Sequence, residues 1–267
     1  METVWATIDG IKERLKPLLE ASPQGAVVFD ADGTLWSHDV GVMTFDWSIE
    51  QALLRADAFT PLREFAEAAH LVTRGTTTLD LAREIQTAFH RRQLEEQAAA
   101  EMQVWIYAGM NETEFRTLVR DALQHKNHNQ SLHTNVIELA EWVRRAGGRS
   151  FIVSASPQWV IEEATRAFGF SAQDIVAGRP NLSLDADGSA TINAGLAQPL
   201  PYGPEKASAG CRLLGNRPWL AALGDSSFDL AMFQEAQIAV GIGQKPGMLA
   251  GLAQLSHGVR LHMERAF

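Results

Sequence analysis

Residues 26–36 read AVVFDADGTLW. Ala26, Val27, Val28 and Phe29 form an apolar run with the length and β-branching of a fully buried strand. Asp30 and Asp32 follow at its end, and Gly33 breaks the run. In an open α/β sheet, ligands bind at the carboxyl ends of the strands. Paired carboxylates beside a glycine there suit a divalent cation and an anionic substrate. An ordinary Asp-Gly turn out of a strand has the same local appearance, so the remainder of the chain decides.

Working outward, residues 4–20 carry the pattern of an amphipathic helix ending before Ser22-Pro23. Downstream, from Ser37 to about Gly148, no buried strand is evident. Helical patterns run from about Trp47 to Ala56, from a first turn containing Pro61, and from about Leu79 to Met102. Asn111 stands three residues before Glu114, an N-cap pattern, and Phe115, Leu118, Val119 and Ala122 follow at helical spacing. The last of these helices carries Val136, Leu139, Ala140 and Val143 and stops at Gly147-Gly148.

The texture changes at Arg149. A strand over Ser150–Val153 leads into a helix reaching about Phe168, and short strands are expected at 175–177, 182–185 and 189–192 around an Asp187-Gly188 hairpin signal. Helix 204–214, strand 219–223, helix 227–235, strand 237–241 and a short helix near 247–253 complete the alternation. Strand–helix alternation predicts an α/β fold: a Rossmann-like parallel sheet with helices on both faces. The expected division is a discontinuous core, 1–36 with 149–267, and an inserted helical cap domain over 37–148.

The 267 residues can bury one large core or one core with a satellite domain. A net charge of −9 argues against a general nucleic-acid binder, which shows a basic footprint. Any anionic substrate therefore needs a locally reversed field. Cys211 is the single cysteine, so there is neither an internal disulfide nor a cysteine-rich zinc site. Charged residues from Asp9 to Lys16 interrupt the N-terminal apolar runs, and no stretch approaches the roughly 20 apolar residues of a membrane span. The expected compartment is the cytoplasm, with no membrane partner. Nothing in the sequence indicates an oligomeric state.

Three further polar clusters fall where the same sheet edge would gather them. Ser154 follows an apolar strand and precedes a helix whose first turn suits Pro157. Its hydroxyl and neighbouring backbone N–H groups make an anion pocket. Lys206 opens a helix after Tyr202-Gly203-Pro204-Glu205, and strand Leu220–Leu223 ends in Gly224-Asp225-Ser226-Ser227-Phe228-Asp229. Taken singly these are a helix cap, a surface lysine and a dipole partner. As an ordered set, each at a strand end or helix start, they point to one site.

With these residues in view, the chain resembles the haloacid-dehalogenase-like superfamily of hydrolases. FDADGTLW matches its first motif, Ser154 the second, Lys206 the third and GDSSFD the fourth. The resemblance covers the chain from about residue 25. It is nearest to the phosphoserine-phosphatase branch, which carries a helical cap between the first two motifs and a Lys-Pro after the last core strand, here Lys245-Pro246. The resemblance implies a Mg2+-dependent phosphomonoesterase acting on a small phosphorylated metabolite through an aspartyl-phosphate. Asp30 would be the nucleophile and Asp32 the general acid and base. Asp30, the Asp32 carbonyl and Asp225 would hold Mg2+. Ser154, Lys206 and backbone N–H groups at Gly33 and Ala155 would hold the phosphoryl oxygens, with Asp229 orienting Lys206 or the metal waters. The branch usually has Asn where this chain has Phe228, which bears on substrate identity more than on chemistry.

The same resemblance places Asp39, seven residues after Asp32, where the branch holds a substrate ammonium. A solvated loop aspartate is the equal alternative. Arg83, after Thr77-Thr78-Leu79, stands roughly where the branch binds a carboxylate, although a surface-helix arginine reads the same way. Trp36, Phe45 and Trp47 cluster near Asp39 in sequence, and aromatic faces attract organic cations. Phosphocholine and phosphoethanolamine therefore stand beside phosphoserine as substrates, with core packing the plainer role for the aromatics. The run Gln124-His125-Lys126-Asn127-His128, with His133, lacks cysteines or an acidic partner for zinc. Gly241-Ile242-Gly243 is too short for a nucleotide fingerprint. Asp32 argues against a dehalogenase, which lacks that second aspartate. A mutase would carry a smaller cap, and a non-catalytic phosphate-binding module would have lost Asp30 or Asp225.

Overall fold

A computed structural model describes residues 4–184, 186 and 188–262. The chain begins with β1 (Val4–Ala6) and α1 (Ile8–Ala21), then β2 (Ala26–Phe29). Six helices follow: α2 (Val40–Glu50), α3 (Phe59–Ala68), α4 (Thr78–His90), α5 (Glu96–Trp105), α6 (Glu112–His125) and α7 (Thr134–Arg145). Next come β3 (Arg149–Pro157), α8 (Gln158–Thr165), β4 (Ile175–Gly178), β5 (Pro180–Leu184) and β6 (Ala190–Leu196). The chain continues with α9 (Pro204–Leu214), β7 (Trp219–Gly224), α10 (Leu230–Glu235), β8 (Ile238–Gly241), α11 (Pro246–Leu252) and β9 (Gly258–Leu261). Among the described residues no helix is long and apolar enough to cross a membrane.

Seven strands form one parallel sheet in the order β1-β9-β8-β7-β2-β3-β4. β2 lies between β3 and β7, and all four of its residues are buried. Alternate residues of β2 feed opposite faces. Val27 and Phe29 pack with Ile11, Leu15 and Leu19 of α1 and with α7 and α8. Ala26 and Val28 pack with Ala209 of α9, Phe233 of α10 and Met248 of α11. The chain builds outward from β2 to β3 and β4, then reverses to β7, β8 and β9. A crevice opens beside β2 at that reversal, the position that favours ligands in such sheets.

The expected α/β architecture is thus the observed one, and no strand lies between β2 and β3 among the described residues. Several boundaries differ. The first expected helix divides into β1, an edge strand too short to register as a pattern, and α1, capped by Thr7, whose hydroxyl accepts from Gly10 N at 3.1 Å. α2 starts at Val40, earlier than expected, because Asp39 caps it by accepting from Val42 N at 2.8 Å. The expected 79–102 helix is two helices. α4 ends where Arg92 turns left-handed (φ +56°) and Gln93 N donates back to Ala88 O at 2.9 Å. The apolar pattern had run across this break because both helices bury onto one core. The Asn111–Glu114 capping box forms as expected. β5 and β6 make a separate antiparallel pair, while β4 joins the main sheet. The expected turn residue Asp187 lies outside the described residues.

The loop after β2 is sewn to the far end of the helical insertion. Ser37 N donates to Ser131 O (2.9 Å) and His133 N to Leu35 O (2.8 Å), and His133 Nδ1 contacts Thr34 O at 2.9 Å. Trp36, fully buried, meets the His128 ring edge-on at 4.9 Å, and His128 Nδ1 lies 3.2 Å from His38 Nε2. Burial, and then the His38 ring, push His128 down to about 4 from an ordinary 6.5. The unfolded chain therefore takes up a proton near pH 6.5 that the folded protein refuses until about pH 4. Stability is expected to fall as pH drops through this window. His128→Asn should flatten that decline in urea melts at pH 7.5, 6, 5 and 4.5, even if it lowers stability at pH 7.5. Parallel declines in wild type and variant would show that native His128 is not held neutral.

Candidate active site

Asp30 leaves β2 with its N–H still bonded to Leu223 O of β7 at 2.9 Å, so the sheet itself aims its carboxylate out of the strand end. Thr34 Oγ1 donates to its Oδ2 at 2.9 Å and Lys206 Nζ to its Oδ1 at 2.6 Å. The same ammonium donates to Asp229 Oδ1, also at 2.6 Å. The other oxygen of Asp229 accepts from Asp225 N, Ser226 N and Ser226 Oγ at 3.0, 2.9 and 3.0 Å. Asp229 is therefore saturated: it braces the loop after β7 and anchors Lys206. Gly33 sits at φ +78°, and a Cβ there would fall 2.1 Å from Asp225 Oδ2. Only glycine lets the first loop close on that carboxylate.

Carboxylate oxygens of Asp30, Asp225 and Asp229 lie within 4.8 Å of one another, and all three residues are buried. Burial pushes Asp30 well above the ordinary carboxylate range, with Lys206 pulling down and Asp229 and Asp225 adding to the rise. Asp225 is raised by burial too, against the pull of Lys245, whose Nζ is 2.6 Å from its Oδ2. Burial works against the Lys206 charge, yet Asp229 and Asp30 hold its ammonium above the ordinary lysine value. Crowded oxygen donors that resist ionisation fit a hard divalent cation, which needs few protein ligands and keeps several waters. Asp229 already accepts four hydrogen bonds, whereas each oxygen of Asp30 accepts one and Asp225 is paired, among the described residues, only with Lys245, so Asp30 and Asp225 keep lone pairs for it.

Asp32 is held from three directions. Trp36 Nε1 and Val40 N donate to its Oδ1 at 2.9 and 2.8 Å, and Ser156 Oγ donates to its Oδ2 at 2.6 Å. Ser154 Oγ accepts from Ser156 N at 3.1 Å, which leaves its own O–H to point elsewhere. Asp30, Asp32, Gly33, Ser154, Ala155, Lys206 and Asp225 all line one cleft of about 400 Å3. The residues expected at the strand ends are thereby brought together.

The insertion contributes differently from expectation. Asp39 lines the cleft, exposed as a residue but with its carboxyl close against the wall; desolvation and then Asp32 push that carboxyl up to about 7. Arg83 is exposed and does not line the cleft. The buried stripe of α4 is Leu81, Ala82, Ile85 and Ala88, and the cleft residue of that helix is Phe89, six positions and roughly 9 Å further along its axis. Trp36 is fully buried and touches Asp32 instead of the cavity, and Trp47 stacks on His125, ring centroids 4.3 Å apart, away from the cleft. Phe45 is core. Sequence reasoning missed Ser156, although Ser-Ala-Ser-Pro offers a second hydroxyl on the same strand end. It also missed Gln103, Glu96, Tyr202 and Lys245 as cleft residues; of these, Tyr202, four residues before Lys206, and Lys245 stand near a motif.

Comparison with curated proteins gave no match. Solved structures of similar fold include a Bordetella pertussis Tohama I protein of unknown function, with 17% identity, TM-score 0.67, and 90% of this chain and 98% of that one covered. A functionally unknown protein from Anaerococcus prevotii DSM 20548 shows 13% identity, TM-score 0.68, and coverage of 98% and 93%. A substrate-bound phosphoserine phosphatase shows 12% identity, TM-score 0.51, and coverage of 89% and 92%. At such identities the likeness concerns the fold. The haloacid dehalogenase-like hydrolase family, by contrast, matches residues 27–234, a span from β2 into α10 that takes in Asp30, Asp32, Ser154, Lys206, Asp225 and Asp229, and the chain belongs to that family.

Proposed function

We propose that the protein is a Mg2+-dependent phosphomonoester hydrolase, phosphoserine-phosphatase-like, acting on a small phosphorylated metabolite through a covalent phosphoryl-Asp30 intermediate. The observation that carries this reading is the buried Asp30–Lys206–Asp229 arrangement beside Asp225, with Asp32 held across the same cleft. Phosphoryl transfer needs positioning and neutralisation of the equatorial oxygens more than covalent machinery. Lys206, the Ser154 hydroxyl and the N–H groups of Gly33 and Ala155 supply donors for those oxygens. A Mg2+ ion held by Asp30, Asp225 and the Asp32 carbonyl would add charge neutralisation there.

A carboxylate oxygen of Asp30 bonds to phosphorus as the P–O ester bond breaks, and Asp32 gives its proton to the departing alkoxide. Asp32 then takes a proton from water as the water oxygen attacks phosphorus, releasing phosphate and restoring the Asp30 carboxylate. A covalent nucleophile splits one difficult step into two. A serine hydroxyl both donates and accepts, so the Ser156 contact can be kept while Asp32 alternates between acid and base. We take the 37–148 insertion to be a cap that closes over the strand ends and excludes water from the cleft.

Purified protein should release inorganic phosphate from a panel of phosphomonoesters with Mg2+ and lose that activity in excess chelator; chelator-resistant turnover would refute the metal assignment. Asp30→Asn should abolish turnover with the fold retained by circular dichroism. Beryllium fluoride with Mg2+ should raise the Tm of wild type, because a ligand that binds only the native state stabilises it. An equal rise in Asp30→Asn would show that Asp30 is not the phosphoryl acceptor.

A further inference from the structure

Two rings stand beside Lys206 without belonging to the core. Phe228 is the one large apolar side chain among residues 224–229, and it immediately precedes Asp229. Tyr202 lies four residues before Lys206, where Glu205 N donates to Tyr202 O and Lys206 N to Gly203 O, both at 3.1 Å, as α9 begins. The Lys206–Asp229 ion pair at 2.6 Å therefore locks together the two segments that carry these rings. The rings themselves pack with centroids 4.4 Å apart and planes inclined by 38°. Among the described residues neither ring packs into either hydrophobic core; both are partly exposed, and both line the cleft. Apolar surface left against water is unfavourable until something apolar covers it.

The same surface continues around the cleft. Phe89, partly exposed, reaches it from α4, Val42 from α2 and Ala100 from α5. Polar groups nearby already have partners. Tyr202 Oη donates to Glu96 Oε2 at 3.4 Å, Asp39 Oδ1 accepts from Val42 N at 2.8 Å, and His38 Nε2 lies 3.2 Å from His128 Nδ1. At about 400 Å3 the cleft is near the lower end of small-molecule sites, which run from roughly 300 to 1,000 Å3. That size suits a phosphoryl group with a small alcohol attached, and not a phosphorylated polymer. Aromatic rings favour offset or edge-on contact with another ring, a gain beyond the area covered.

We infer that Tyr202, Phe228 and Phe89 form a subsite for an aromatic ring, so that the substrate class is the phosphomonoester of an alcohol bearing a single ring. The inference rests on the phosphomonoesterase reading and names the substrate class for it. Tyr202 and Phe228 come from the segments before α9 and after β7, so part of the selection is made beside Lys206 itself and not by the inserted helices.

The test compares benzyl, cyclohexylmethyl and ethyl phosphate, esters of primary alcohols of similar acidity, with O-phosphoserine beside them. With Mg2+, kcat/KM should be about tenfold or more higher for the benzyl ester than for the ethyl ester or phosphoserine, the gain expected from covering one ring. It should also exceed that of the cyclohexylmethyl ester, which is apolar without a π face. Phe228→Ala should cut the benzyl-to-ethyl ratio about tenfold, and Phe228→Tyr should keep it. Phe89→Ala, on a different helix, should lower the same ratio. If Phe228 merely props Asp229, its loss lowers both esters together and leaves the ratio unchanged, which overturns the subsite. Ethyl, cyclohexylmethyl or seryl phosphate turning over as well as the benzyl ester overturns it too, while the phosphatase reading stands. Calorimetric binding of 2-phenylethylphosphonate and propylphosphonate, in which CH2 replaces the ester oxygen, separates the two failures. If no ester is hydrolysed the phosphatase reading falls, and the phosphonates still decide: tighter binding of the phenyl compound upholds the subsite, and equal or absent binding overturns it.

Discussion

One buried ammonium holds the site together. Lys206 lies between Asp30 and Asp229 at 2.6 Å from each, and none of the three is more than 5% exposed. The three residues come from the end of β2, the first turn of α9 and the loop after β7. Ions out of water are tolerated only when paired, and removing one partner of a buried pair typically costs about 3–5 kcal/mol. The lysine is thus a tie between three segments as well as a charge for a substrate. Because Asp229 spends its other oxygen on the backbone of Asp225 and Ser226, the tie also sets where Asp225 points.

Around this fixed floor, Asp32 is the joint between floor and roof. Its three partners come from the loop after β2, the first turn of α2 and the end of β3. Movement of α2 would therefore be felt at Asp32 through Val40 N. Trp36 reaches further, since its ring rests on His128 at the far end of the insertion. Asp30, Lys206 and Asp225 line the cleft from the sheet side, and Phe89, Glu96 and Gln103, from the helices between β2 and β3, line it as well. Exchanging residues on those helices would reshape the cleft without touching Asp30, Lys206 or Asp225.

Legibility in the sequence follows the same division. β2 was readable because a strand buried on both faces is apolar throughout, and Asp30, Asp32, Ser154, Lys206 and Asp225 were readable because each sits at a strand end or helix start. β1 and β9, three and four residues long at the sheet's edge, carry too little pattern to be seen. The α4–α5 break was hidden because it depends on Arg92 adopting a left-handed backbone that few side chains favour. Trp36 and Trp47 were placed by nearness in sequence to Asp39, and Arg83 by its likeness to the branch's carboxylate-binding arginine, but packing decides which side chains meet the cavity. Gln103 is legible only in three dimensions, because nothing in the sequence around it says that this face of α5 meets the cleft.

The position of β2 also has consequences in time. It is the first strand of the catalytic edge to be synthesised, yet its neighbours β3 and β7 begin only at Arg149 and Trp219. Pairings between such distant segments must close large loops before any contact rewards them, which slows the folding of parallel sheets. Until then the run Ala26–Phe29 has no partner on either edge, and a bare apolar strand invites association with other chains. The helices between β2 and β3 are built from local contacts and can form early, so during synthesis they are the part of the chain able to shelter that strand before its sheet exists.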